Sequence, residues 1–202
     1  MSFTFDETRH IYTLDGRVLP SVTGILEAAG LIDYSFIPPA TRNMALARGS
    51  AVHLATAIDD VGDLDYDALD PILPPFCDGW RVFRSDTGFV PDLIEQRSYH
   101  PRHLYAGTRD RRGRFARSKF LHTLDIKCGK AEWWVWIQIA AYMAFDENPR
   151  ATLPYVVELP GNGTWREYPR PADWSFDLYF NYFLSCLTVT RLQILSGARK
   201  AA

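Results

Sequence analysis

The residue types best suited to chemistry gather around Thr123-Leu124-Asp125-Ile126-Lys127-Cys128-Gly129-Lys130. Asp125 and Lys127 are two residues apart, so on an extended strand both side chains project to the same side. Such a pair is either a plain ion pair or half of a hydrolytic site, in which Asp125 holds a divalent cation and Lys127 steadies a nucleophilic water. Two further carboxylates, Glu95 and Asp110, fall on or beside neighbouring β-type runs, so three acids can converge. Convergence is costly because like charges raise one another's pKa, and a bound cation removes that cost. Gln138 and Tyr142 stand at i and i+4 of a helical pattern, hence on one face. His53 follows Arg48-Gly49-Ser50-Ala51-Val52 on another predicted helix, where it reads as a hydrogen-bonded core residue or a ligand.

These side chains need a sheet and several helices to position them. Phe3 to Phe5 and His10 to Leu14 alternate as short strands, with Asp15-Gly16 as a turn signal. Ser21 or Thr23 can cap a helix to about Ala29 that Gly30 ends, and its free N–H groups form either a plain N-cap or a seat for a phosphate. A second helix follows Pro38-Pro39 and runs to about Asp60, and the acidic stretch to Asp70 reads as a solvated loop. Pro71 to Arg84 predicts a helix with Trp80 and Phe83 inward. Asp92 to Tyr99, Leu104 to Arg109 and Phe115 to Ile126 predict three consecutive strands, with Arg112-Gly113 turning between the last two. The helix Glu132 to Phe145 comes next, its apolar side marked by Trp133, Trp136, Ile137 and Ala140. Tyr155 to Leu159 and Thr164 to Tyr168 form a hairpin through Gly161-Asn162-Gly163. Pro171 opens a closing helix with Phe176, Phe180, Phe183 and Leu187 on its buried stripe.

The 202 residues suit one domain in three parts: 1–90, a catalytic sheet and helix over 91–146, and a hairpin and helix over 147–202. Hydrophobic residues make up 47% and charged residues 23%, enough for a real core. Net charge is only −2, yet Arg97 to Lys119 carries eight cations against Asp110 alone, which suggests either a local anionic partner or a solvated charged hairpin. Cys77, Cys128 and Cys186 lack any C-x-x-C pair, which argues against a disulfide framework, structural zinc or an iron–sulfur cluster. The N-terminus has no apolar signal core, and the late apolar run Leu178 to Leu195 is broken by Asn181, Ser185 and Arg191. The expectation is a protein of a reducing compartment, cytoplasmic (of the host, if viral), with no membrane partner.

Taken in order, these pieces resemble the PD-(D/E)XK nuclease superfamily, in its RecB-like, phage-type exonuclease branch, over roughly Ile11 to Phe145. HIYTLDGRVLPSVTGIL is similar to the entry motif of phage-type members, and RGSAVH to the first helix motif ending in a metal-binding His. IEQRSYH with YAGTRD resembles the Glu strand and the G-x-x-D motif, LDIKCGK the (D/E)-x-K strand, and QIAAY the Q-x-x-x-Y helix. The resemblance implies an α/β fold, a central mixed sheet flanked by helices with a restriction-endonuclease-like core. It implies a metal-dependent deoxyribonuclease hydrolysing phosphodiester bonds, an exonuclease on DNA ends or single strands. A structure-specific endonuclease or an inactive DNA-binding recombination module fits the same motifs. His53, Asp110, Asp125 and the Ile126 carbonyl would hold Mg²⁺ or Mn²⁺, with Glu95 direct or through water. Lys127 would position or deprotonate the attacking water, or stabilise charge in the transition state; a free Lys near about 10.4 is a poor base without a cation beside it. Gln138 and Tyr142 would hold the substrate's phosphate or orient Lys127, and Ser21, Thr23, Arg48 and Arg109 would contact the DNA. No G-x-x-x-x-G-K-[ST] motif is present, so a helicase or recombination partner would be a separate protein.

Overall fold

The computed structural model describes residues 1–198. β1 (Phe3–Asp6), β2 (Ile11–Leu14) and β3 (Arg17–Leu19) form a small antiparallel sheet. Asp15 and Gly16 both take positive φ (48° and 78°), which gives a tight two-residue hairpin between β2 and β3. The third strand was not expected; at three residues it is too short to show alternation. α1 (Val22–Ala28) follows, its N-terminus capped by Ser21 Oγ, which accepts the Gly24 N–H at 3.0 Å. α2 (Pro39–Asp60) and α3 (Pro74–Thr87) come next, and Gly88 in the left-handed region stops α3.

The chain is α/β, and its main sheet is mixed. β4 (Val90–Tyr99), β5 (Ala106–Arg114) and β6 (Leu121–Cys128) form an antiparallel meander. α4 (Val135–Met143) then carries the chain over to β7 (Thr152–Leu159), parallel to β6, and β8 (Arg166–Glu167) closes that edge. α5 (Phe176–Leu195) packs last. Helices cover both faces. On one, Ile25 of α1, Trp136 and Ala140 of α4, and Phe183 and Leu187 of α5 form a cluster with Val156. On the other, Val52 of α2 and Phe76, Trp80 and Phe83 of α3 meet Leu124, Ile126, Val157 and Leu159. Strand alternation therefore sends Leu124 and Ile126 toward α2 and α3, and Asp125 and Lys127 toward α4. Among the described residues, no helix is long and apolar enough to cross a membrane.

Several expected boundaries move. Arg112-Gly113 is no turn but part of two ladders, Gly113 lying opposite both Pro91 and His122. A Cβ on Gly113 would come 2.3 Å from the Val90 carbonyl oxygen and 2.8 Å from the Phe89 ring, so the glycine permits close approach of β4 rather than reversal. The turn occupies 115–120 instead, within the run expected to be strand. There Phe115 packs on Phe83, Phe89 and Tyr155. α4 starts at Val135, leaving Trp133 outside it and 56% exposed. α5 starts at Phe176 under a Ser175 cap, not at Pro171.

The acidic stretch also divides. Asp59 and Asp60 end α2, and the Asp60 side chain has no exposed surface, so it is not solvated. Its carboxylate takes Arg111 Nε at 2.6 Å, Arg84 Nη1 at 2.9 Å and Trp80 Nε1 at 2.9 Å. Removing one member of a buried pair leaves the other charge stranded in a poorly solvating interior. Asp60→Ala is expected to lower unfolding free energy by about 3–5 kcal/mol in urea titration, and the double variant Asp60→Leu/Arg111→Met to recover part of that loss. A cost below about 1 kcal/mol for Asp60→Ala would mean that this cluster does not hold α2 to the sheet.

Candidate functional site

Residues seven apart on a helix share a face, so the burial of Asp60 turns His53 toward β5 as well. Thr56, between them, accepts a hydrogen bond from Arg111 Nη2 at 3.1 Å. The α2 face is thus fixed at two points, and His53 is brought over the sheet where its ladders open. β4 and β5 pair Ile94 with Arg111 and Gln96 with Arg109, but Glu95 and Asp110 between them do not pair. β5 and β6 pair as far as Arg111 and Leu124 and no further in that direction. Glu95 has φ of +45°, a left-handed conformation costing a non-glycine residue on the order of 1–3 kcal/mol. Alternation fails here. Asp110 and Arg111 both reach α2, the first at His53 and the second at Asp60, whereas Arg109 and Arg112 both reach Asp146.

The gap places three ligand atoms together. His53 Nδ1 lies 3.4 Å from Glu95 Oε1 and 3.4 Å from Asp110 Oδ1, and atoms of the three residues lie within 4.8 Å of one another. Oxygen and nitrogen donors around a small divalent ion, at bonds of about 2.1 Å, stand at comparable separations. The second oxygen of Asp110 accepts the Ile126 N–H at 2.7 Å, a bond that takes the place of the missing ladder. Burial pushes the Asp110 carboxyl up to about 7; the His53 charge opposes this, and Asp125 and Glu95 add to it. Burial alone would lower the His53 imidazole, but the charges of Asp110 and Glu95 outweigh it and bring it to about 9. Glu95 is also penalised by burial, yet His53 and Arg111 hold it below its ordinary value.

A second group adjoins the first on the α4 side of β6. Lys127 Nζ lies 2.8 Å from Asp125 Oδ2 and donates to Gln138 Oε1 at 3.0 Å, and Gln138 Nε2 donates to the Tyr142 hydroxyl at 2.9 Å. The Trp134 ring covers the ammonium at 5.4 Å. Burial disfavours the Lys127 charge, but Asp125 and Asp110 outweigh it, so its pKa is raised and the side chain is an ammonium. Asp125 Oδ2 is shut away from solvent with that ion pair and no hydrogen bond. Tyr142 is buried against Gly107, where an added Cβ would come 2.8 Å from its ring.

The structure therefore brings His53, Glu95 and Asp110 into one cluster and Asp125, Lys127, Gln138 and Tyr142 into a chain beside it. Glu95, given the lesser role, is inside the trio, and Asp125 is adjacent, its Oδ2 paired with the Lys127 ammonium. Ile126 enters the site as an N–H donor, its side chain in the core. Arg109 is 1% exposed and bound to Asp146 and Gln96, so it is not open to a substrate. Ser21 Oγ is engaged as the α1 cap, and Thr23 is exposed in the first turn of that helix; neither hydrogen-bonds to the cluster. Arg48 is half-buried with no acidic partner, its guanidinium 5.9 Å from the Phe76 ring. Half of the basic segment's eight cations are neutralised by acids from elsewhere in the chain, with Arg97 on Glu7, Arg109 on Asp146, Arg111 on Asp60 and Glu95, and Arg112 on Asp92. Sequence reasoning missed Thr56, Asp60, Arg111 and Trp134. The i, i+3, i+7 spacing of His53, Thr56 and Asp60 was the available signal.

The pH response follows from His53. Folding raises its pKa, so its contribution to stability is complete below about pH 6.5 and disappears as pH rises through about 9. Without divalent ions, the melting temperature is expected to fall across that window, and His53→Gln is expected to flatten the fall. An equally steep fall in the variant would place the titrating group elsewhere. No family model matches the chain, and no curated protein matches it.

Proposed function

We propose that this chain is a metal-dependent deoxyribonuclease that hydrolyses phosphodiester bonds, acting on DNA ends or single strands. The observation that carries the reading is the meeting of one imidazole and two carboxylates, from α2, β4 and β5, within 4.8 Å. A fixed ammonium stands beside them on β6. The order of the five motif-like segments along the chain supports the same reading. The donor set suits a hard or borderline ion: His53, Glu95 and Asp110 would hold Mg²⁺ or Mn²⁺, with the Asp125 carboxylate adjacent. Asp110, pushed up to about 7 by burial and its acidic neighbours, is a group whose charge a cation would compensate. When bound, the ion would supply polarisation of a phosphate oxygen and a lowered pKa for water.

The chain's own residues would do the rest. Lys127, held by Asp125 and Gln138, has its charge fixed before substrate arrives. As an ammonium it donates hydrogen bonds and cannot accept a proton, so its role is to orient water and stabilise charge developing on the phosphate. Gln138 orients Lys127, and Tyr142 orients Gln138. In the hydrolysis, water oxygen bonds to phosphorus and gives up a proton to solvent, the P–O ester bond breaks, and the leaving oxygen takes up a proton from solvent.

The test uses end-labelled single- and double-stranded DNA beside a covalently closed circle. The expected result is Mg²⁺- or Mn²⁺-dependent loss of the linear substrates, stopped by EDTA, with the circle intact. Lys127→Ala and Asp125→Asn are each expected to slow cleavage by about 10²–10³-fold or more while the folded variants still bind DNA. Cleavage of the circle would make the enzyme an endonuclease. Inert wild-type protein, or full activity in both variants, would overturn the assignment.

A further inference from the structure

α2 has 22 residues, but its buried residues are Val52, Ala55 and Thr56, all in the C-terminal half. From Pro39 to Ser50, a length of about 18 Å, none is buried, so this half lies along the surface of the protein. It has no acid before Asp59, and its charges are Arg42 and Arg48. Both arginines are half-buried, and the Nε of each is shut from solvent with no partner. Among the described residues, the other arginines without an acidic or carbonyl partner, Arg17, Arg102, Arg117 and Arg170, are exposed and remain hydrated. A guanidinium partly stripped of water and given no acceptor is short of hydrogen bonds, and a phosphate supplies them in matching geometry.

Position decides which phosphate. Arg42 precedes His53 by eleven residues, three helical turns within about 20°, so the two lie on one stripe about 16 Å apart. Gly49 lies between them on that stripe, and nothing stands within 4 Å of where its Cβ would be. Arg48, five residues before His53, lies about 140° round the helix from that stripe, on the flank facing α3, with its guanidinium 5.9 Å from the Phe76 ring. Arg42 opens on a hollow also lined by Tyr34, Ser35, Glu27 and Asp33, and neither acid pairs with it. Beside this path Phe36 and Leu46 are 78% and 56% exposed, apolar surfaces suited to unpaired bases.

We infer that the N-terminal half of α2 is the strand-binding surface of the enzyme, where Arg42, on the His53 stripe, and Arg48, on the flank beside it, take backbone phosphates of single-stranded DNA leading to His53. This inference rests on the nuclease reading. The gap between His53 and Arg42 places the Arg42 phosphate within about five nucleotides of the reacting one even for a stacked strand at about 3.4 Å per nucleotide.

The test measures binding of fluorescein-labelled oligothymidylates by anisotropy in EDTA, across a salt series, for the full chain and its variants. Arg42→Ala/Arg48→Ala is expected to weaken binding by about tenfold or more. The slope of log affinity against log salt is expected to fall by about 1.4, or about 0.7 for each lost phosphate contact. Arg42→Lys/Arg48→Lys should retain most of that slope. Arg42→Ala alone should not change binding of a dinucleotide, which is too short to bridge from His53. Arg170→Ala is the exposed-arginine control. If the wild type binds and cleaves while the double alanine variant keeps its affinity and slope, the inference fails and the nuclease reading stands. If the wild type neither binds nor cleaves, both fall.

Discussion

The arrangement depends on the burial of one guanidinium. Arg111 has no exposed side-chain surface, and each of its nitrogens is engaged: Nε by Asp60, Nη1 by Glu95 and the Asp110 carbonyl, and Nη2 by Thr56. Its face lies 5.5 Å from the Trp80 ring. A planar cation with a fixed fork of donors satisfies several acceptors at set angles, which a lysine could not do. Here those acceptors belong to α2, β4 and β5, so a single side chain sets where the helix sits on the sheet. The position of His53 over Asp110 follows from that contact through helix geometry.

Charge within the site is partitioned unevenly. Lys127 compensates Asp125, Arg111 compensates Glu95, and His53 is shared between Glu95 and Asp110. Asp110 is thus the carboxyl with the least compensation, and burial pushes it up to about 7. The His53 proton provides part of the positive charge that the two carboxylates lack. A divalent ion at the same point would compete with that proton for the same oxygens, so occupancy and protonation are linked.

The break in the sheet is what allows this density of polar groups. A regular ladder would pair Glu95 with Asp110 and continue from β5 to β6 past Leu124, leaving side chains to alternate across the faces. Instead Glu95 takes a left-handed conformation, Asp110 and Arg111 both turn to α2, and the Ile126 N–H is satisfied by a carboxylate. The backbone strain is offset by charged hydrogen bonds that a regular strand could not form.

Local chemistry was enough to read much of this from the chain. The Pro39 start of α2, the Ser21 cap, the Asp15-Gly16 hairpin and the common face of Asp125 and Lys127 follow from sterics and periodicity, which act over a few residues. Gln138 and Tyr142 meet because four residues close a helical turn. The sequence could not reveal that Gly113 marks close approach rather than reversal, that Arg109 is consumed by Asp146, or that Asp60 is buried. Each depends on a partner distant in the chain, and an isolated residue carries no record of what will neutralise it. Residue type and spacing alone determined the candidate chemistry and the elements that bear it. Which acid faces His53, and which cations are left without a counter-charge, was decided by the tertiary structure, because desolvation and pairing arise only when the elements pack.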